Sequence, residues 1–106
     1  MSSFLMEDIV EKIEEFLSAS KDGFSVALLC EKDFSGMLCG NLSERLEVPV
    51  VLLEPALEKH KLKRKLNESG CEMILYSSAF EPMIYEIFND GTTLLQDSLR
   101  LEDYMV

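Results

Sequence analysis

Histidine is nearly absent from this chain, cysteine is scarce, and carboxylates outnumber cations two to one; each shortage removes a class of function. His60 is the only histidine. Ser-His or Cys-His catalysis needs an imidazole within reach of the nucleophile, yet His60 stands among lysines that read as the outer face of a helix. The three cysteines, Cys30, Cys39 and Cys71, are odd in number and never at C-x-x-C spacing, so no zinc pattern is present. They read as free thiols, Cys30 and Cys71 buried, in a reducing compartment. With 10 Lys and Arg against 20 Asp and Glu, the net charge of −10 argues against binding DNA or RNA phosphates. No apolar run approaches the roughly 20 residues of a membrane span. Residues 1–10 carry Glu7 and Asp8 where a secretory signal has a basic region. The expectation is a cytoplasmic protein with neither nucleic acid nor membrane as partner.

What is present is enough for one α/β domain over 1–106. That length, at 47% hydrophobic residues, supports a core without disulfide or metal. Residues 24–30 carry no charge and lie between the turn signal Lys21-Asp22-Gly23 and the charged Glu31-Lys32-Asp33, the pattern of a strand buried on both faces. Before it, Leu5, Ile9, Ile13, Phe16 and Leu17 form one stripe of a helix over 2–18, widened by Phe4 and Met6. After it, Leu38, Leu42 and Leu46 mark a helix over 35–47, with Asp33 or Ser35 as its cap. Gly36 there admits the close approach of an anion, and Gly40 lets the helix lie tight on the sheet.

Residues 48–53 predict a second buried strand, with Pro49 at its beginning, and Pro55 opens a third helix that stops at Gly70. That helix gathers Lys59, His60, Lys61, Lys63, Arg64 and Lys65, either as a solvated face or as a patch for an anion or an acidic partner. Residues 71–76 predict a third strand. Ser78 with Glu81 matches a capping box, but Pro82 favours a helix beginning at Pro82 after a turn, with Met83, Ile84, Ile87 and Phe88 on its core side. Residues 92–96 read as a polar edge strand, and the tail from 97 docks through Leu99, Leu101, Tyr104 and Met105.

Alternating helices and strands predict a three-layer α/β/α sandwich with a four-stranded, mainly parallel sheet. Strand order 2-1-3-4 is expected, with 3-2-1-4 as the alternative. In such sheets ligands bind beyond the carboxyl ends of strands, where neighbouring connections diverge to opposite faces. The candidate ligand-binding residues are therefore Glu31, Lys32, Asp33, Ser35 and Gly36 after the first strand, and Ser77 and Ser78 after the third.

Known chemistries fit these loops poorly. At Cys30, where some phosphatases keep a thiolate nucleophile, Glu31 and Asp33 would raise the thiol pKa. No G-x-G-x-x-G or G-x-x-x-x-G-K-[ST] is present, and the third strand ends in Tyr76-Ser77-Ser78 where a phosphoacceptor receiver has an aspartate. Lys32-Asp33-Phe34-Ser35 resembles the Asp-Ser end of the pyrophosphatase loop of ATP-dependent adenylating enzymes. Cys30 and Glu31, however, stand where that loop has its glycines, and the resemblance identifies no family. Glu31, Asp33 and Glu54 at strand ends have a spacing that permits a Mg²⁺ site without specifying one. The reading is a non-catalytic binding or assembly module, a homodimer or the partner of another protein, with a second subunit covering an edge of the narrow sheet. The alternative is a domain, or a small enzyme, that binds a nucleotide or another small anionic ligand after the first strand. No cofactor is named by the residues.

Overall fold

The computed structural model describes residues 5–19, 25–46 and 48–104; the side chains at 6, 17–19 and 32–37 lie outside that description, as do Phe4, Lys21, Asp22, Gly23, Phe24 and Met105. The chain runs α1 (Met6–Ala19), β1 (Ser25–Leu29), α2 (Lys32–Arg45), β2 (Val50–Leu52), α3 (Lys59–Glu68), β3 (Cys71–Tyr76), a 3₁₀ turn (Ser78–Phe80), α4 (Glu81–Asp90), β4 (Asp97–Arg100) and a second 3₁₀ turn (Leu101–Tyr104). The strands form one four-stranded sheet in the order β2-β1-β3-β4, every neighbouring pair parallel. This is the expected sandwich and the first of the two expected strand orders.

Strand alternation sorts the core into two layers. Val26, Leu28 and Cys30 of the β1 segment point to one face with Met73, Leu75 and Leu99, under Ile9 and Ile13 of α1 and Leu38 and Leu42 of α2. Ala27, Leu29, Cys71, Ile74 and Tyr76 point to the other, under Leu62 and Leu66 of α3 and Ile84 and Ile87 of α4. From Val26 to Cys30 exposure never exceeds 1%, so β1 is buried on both sides as its uncharged run requires. Each large aliphatic side chain so buried contributes about 1.5–3 kcal/mol.

Several expected boundaries move, each for a physical reason. β2 is not buried on both faces: it is a sheet edge, Val50 and Val51 are half-buried, and Leu52 is 40% exposed. Leu5, expected in the core stripe of α1, is exposed and instead donates its N–H to the Tyr104 carbonyl at 2.6 Å, tying the helix entry to the docked tail. α3 starts at Lys59 because Pro55 and Ala56 form a turn, in which Leu57 N–H donates to the Glu54 carbonyl at 3.2 Å. Gly70 stops it as expected, at φ 65°. α4 begins at Glu81 after a 3₁₀ turn, with Pro82 in its first turn, rather than at a Ser78 capping box.

The fourth strand is Asp97–Arg100, and residues 92–96 are not in it. Asn67 on α3 explains the shift: its side-chain amide donates to the Thr92 carbonyl at 3.0 Å, and its carbonyl accepts the Leu94 N–H at 3.2 Å. These two contacts hold residues 92–94 against α3 rather than in a ladder. Pairing starts only where Gln96 N–H reaches the Glu72 carbonyl at 2.7 Å. Gly40 is exposed, and a Cβ built on it meets nothing within 4 Å, so it does not serve a close helix–sheet approach.

Candidate functional site

The sequence directs attention to the carboxyl ends of β1 and β3, and the fold makes them adjacent. Leu53 N–H donates to the Leu28 carbonyl at 2.9 Å on one side of β1, and Ser77 N–H donates to the Leu29 carbonyl at 3.0 Å on the other. The chain then leaves β1 toward α2 on one face and leaves β3 toward α4 on the opposite face. That divergence is a topological switch point, the place where open α/β sheets form a crevice.

Glu31 occupies the position before α2, exposed, with extended backbone and no side-chain hydrogen bond capping the helix. The expected cap at Asp33 or Ser35 is thus displaced. Lys32, Asp33, Ser35 and Gly36 belong to the first turns of α2 rather than to a loop, and their side chains are outside the described residues. Ser77 is 7% exposed at the mouth of the sheet, and Ser78 is exposed beside it.

Ser78 is already engaged. Its backbone N–H donates to both carboxylate oxygens of Glu102, each at 2.9 Å, and its hydroxyl donates to Oε2 at 2.7 Å. Glu102 comes from the 3₁₀ turn that follows β4, so the last strand delivers a carboxylate to the end of β3. Burial opposes the Glu102 charge, but the Ser78 hydroxyl and N–H, its own backbone N–H and nearby Arg100 together hold its carboxyl below the usual range. Sequence reasoning missed Glu102 because it placed the fourth strand five residues early; with that strand at Asp97–Arg100, the same strand-end rule selects it.

A second polar cluster flanks this one. Glu81 accepts the Tyr85 hydroxyl at 2.9 Å and the Tyr76 hydroxyl at 3.5 Å, and lies 3.6 Å from Arg100. Arg100 also donates through Nε and Nη2 to Asp103 Oδ1, at 3.2 and 2.8 Å. Burial, followed by the Glu81 charge, pushes the Tyr76 hydroxyl above its ordinary pKa.

Cys30 lies one residue beyond β1, wholly buried. Burial first, then the charge of Glu31 and the neighbouring Cys39, push its thiol up to about 11. A thiol so placed stays protonated at neutral pH, the opposite of what a nucleophile needs. His60 offers no base there: it sits on α3, 70% exposed, with Nδ1 3.4 Å from Glu58. Glu31 and Glu54 line one cleft of about 480 Å³ with Pro55 and Ala56. Among the described residues no three His, Cys, Asp or Glu side chains group closely enough to hold a metal ion.

The basic run is partly spent inside the fold. Lys59 faces Glu86 at 3.6 Å and Asp90 at 3.8 Å on α4, and Lys63 also binds Asp90. Lys61 and Arg64 remain exposed, without an ion-pair partner among the described residues. No helix among the described residues is long and apolar enough to cross a membrane.

No protein-family model and no curated protein sequence matches this chain. Solved structures do. The chain is similar to the N-terminal domain of FACL13 from Mycobacterium tuberculosis in an inhibitor-bound crystal structure, with TM-score 0.64, 20% identity, and coverage of 92% of this chain and 25% of that one. It is similar also to a Mycobacterium tuberculosis fatty acyl CoA synthetase, with TM-score 0.65, 20% identity, and coverage of 92% and 20%. The anthranilate CoA ligase AuaEII, in complex with anthranoyl-AMP, gives TM-score 0.70 at 13% identity over 93% of this chain and 19% of that one. This chain therefore spans about a fifth to a quarter of the length of those proteins, and what it shares with them is the fold of a small α/β domain.

Proposed function

We propose that this protein is a non-catalytic binding or assembly module. The observation that carries the reading is the engagement of Ser78 by Glu102: the donors that would meet an anionic ligand at the β3 end of the switch point already hold the chain's own carboxylate. A ligand there must displace a hydrogen-bonded, charged side chain and then lie beside Glu81 and Asp103. The buried, protonated Cys30 thiol supports the same reading.

The second reading is a small domain that binds a nucleotide, or another small anion, through Glu31, Lys32, Asp33, Ser35, Gly36, Ser77 and Ser78. Two observations favour it: the structural neighbours include a fatty acyl CoA synthetase and an anthranilate CoA ligase in complex with anthranoyl-AMP, and the cleft beside Glu31 opens at the carboxyl ends of β1 and β2. Thermal unfolding in the presence of ATP, AMP, CoA and Mg²⁺ separates the two. A ligand at a hundred times its dissociation constant adds about 2.7 kcal/mol, which raises the melting temperature of a domain this size on the order of 10 °C. The module reading expects no shift. A shift that Ser78→Ala abolishes overturns it in favour of ligand binding.

A further inference from the structure

We infer that the outer edge of β2 is a self-association surface, on which a second copy of this chain pairs β2 against β2 in antiparallel register. This deepens the assembly reading and rests on it.

The backbone geometry of β2 fixes which groups are free. Val26 N–H donates to the Pro49 carbonyl at 3.0 Å, and Leu53 N–H donates to the Leu28 carbonyl at 2.9 Å. Residues 49, 51 and 53 thus turn their backbone groups toward β1, and strand alternation turns those of Val50 and Leu52 outward. No described residue pairs with these outward groups through its backbone. A row of unpaired N–H and C=O groups on a sheet edge is a template for another strand.

This edge is short, at three residues, but it carries no charge to guard it. Residues 48–53 carry no charge, Val50 and Val51 are half-buried, and Leu52 is 40% exposed. Pro49 is no guard, because its position faces β1. The other edge is defended: β4 carries Asp97 and Arg100, and the Asp97 carboxylate accepts the Ser98 N–H at 2.8 Å. The contrast selects β2.

The occupant follows from self-complementarity. In an antiparallel pair, directly opposed residues of the hydrogen-bonded kind exchange both their N–H···O bonds. A twofold axis through Val51 sets Val50 opposite Leu52 of the second copy, and the outward groups of one copy then meet those of the other. Val50 and Leu52 lie on the same face of the strand, so each apolar side chain gains an apolar neighbour across the axis. The same axis sends the Glu54 of each copy to opposite ends of the pair, which keeps these acidic residues apart in a protein of net charge −10. The sheet becomes continuous through both copies.

Sedimentation equilibrium of the full chain over a wide concentration range tests this. The expected result is a closed species of twice the 12.1 kDa chain mass. Leu52→Lys should raise its dissociation constant at least tenfold while leaving the melting temperature of the dilute, monomeric protein in place. Val51→Cys, made together with Cys39→Ser, should form a disulfide-linked dimer on mild oxidation, because the axis brings the two Val51 positions together. A strict monomer overturns the inference, as does a dimer indifferent to Leu52→Lys or an open-ended series joined through the acidic α1 and basic α3. Any of these leaves the Glu102–Ser78 contact and the outcome of the nucleotide titration untouched, so this inference and the module reading fail separately.

Discussion

Ser78 and Glu102 lie 24 residues apart in the chain, and the carboxylate of one takes both the backbone N–H and the hydroxyl of the other, at 2.7–2.9 Å. The contact joins the exits of β3 and β4 and anchors the end of the described chain to the sheet.

Its removal should be visible in acid. The Glu102 carboxyl is held below its ordinary range in the folded protein, so the stability it contributes is complete above the unfolded-state value and disappears as pH falls through the lower, folded value. Melting temperatures of wild type and Glu102→Gln, measured from pH 7 to pH 3, should differ most at pH 7 and converge at the acid end. Ser78→Ala should cost about 1 kcal/mol or less, since the pair is exposed to solvent. A Glu102→Gln variant with an unchanged acid profile would show that the contact contributes nothing.

Alkali should destabilise the fold through the buried thiols. Burial pushes both Cys30 and Cys71 up to about 11 from an ordinary 9.0. Between those values the unfolded chain releases protons that the folded chain retains, so stability falls as pH rises from about 9 toward 11. Urea unfolding of wild type against Cys71→Ala, at pH 8 and at pH 10.5, checks this: the variant's stability should decline less between the two. Under native conditions at pH 8, a thiol reagent should also label Cys30 and Cys71 far more slowly than after unfolding.

Two glycines should respond with opposite signs. Gly40 is inside α2 with open space where a side chain would go, so Gly40→Ala should stabilise by up to about 1 kcal/mol through helix propensity alone. Gly91 ends α4 at φ 67°, and although an added Cβ there also meets nothing within 4 Å, the left-handed backbone penalises it. Gly91→Ala should cost about 1–2 kcal/mol. Chemical denaturation of the two variants beside wild type is sufficient. Equal and small effects would mean that neither backbone position behaves as its geometry requires.

The fold class was legible because it depends on local pattern. The uncharged run through Val26 to Leu29 can be buried only between two layers, and the stripes of Leu38 and Leu42 and of Ile84 and Ile87 supply those layers. Strand β3 and the glycine stops at Gly70 and Gly91 were equally plain, because each rests on neighbours in sequence. The order β2-β1-β3-β4 was one of two that right-handed crossovers allow, and the tertiary structure chose between them.

What the sequence by itself determined, then, is the set of elements that bury themselves and the place where their connections diverge. Tertiary structure alone decided what fills that place and which apolar strand is left half-covered. The Asn67 side chain holds residues 92–94 out of the sheet from a distant helix, so β4 starts later and Glu102 arrives beside Ser78. Val50, Val51 and Leu52 look as apolar as β1, yet lie at an edge because only one neighbour strand reaches them. Such outcomes depend on which groups remote in sequence find partners, and hydrophobic periodicity carries no record of that.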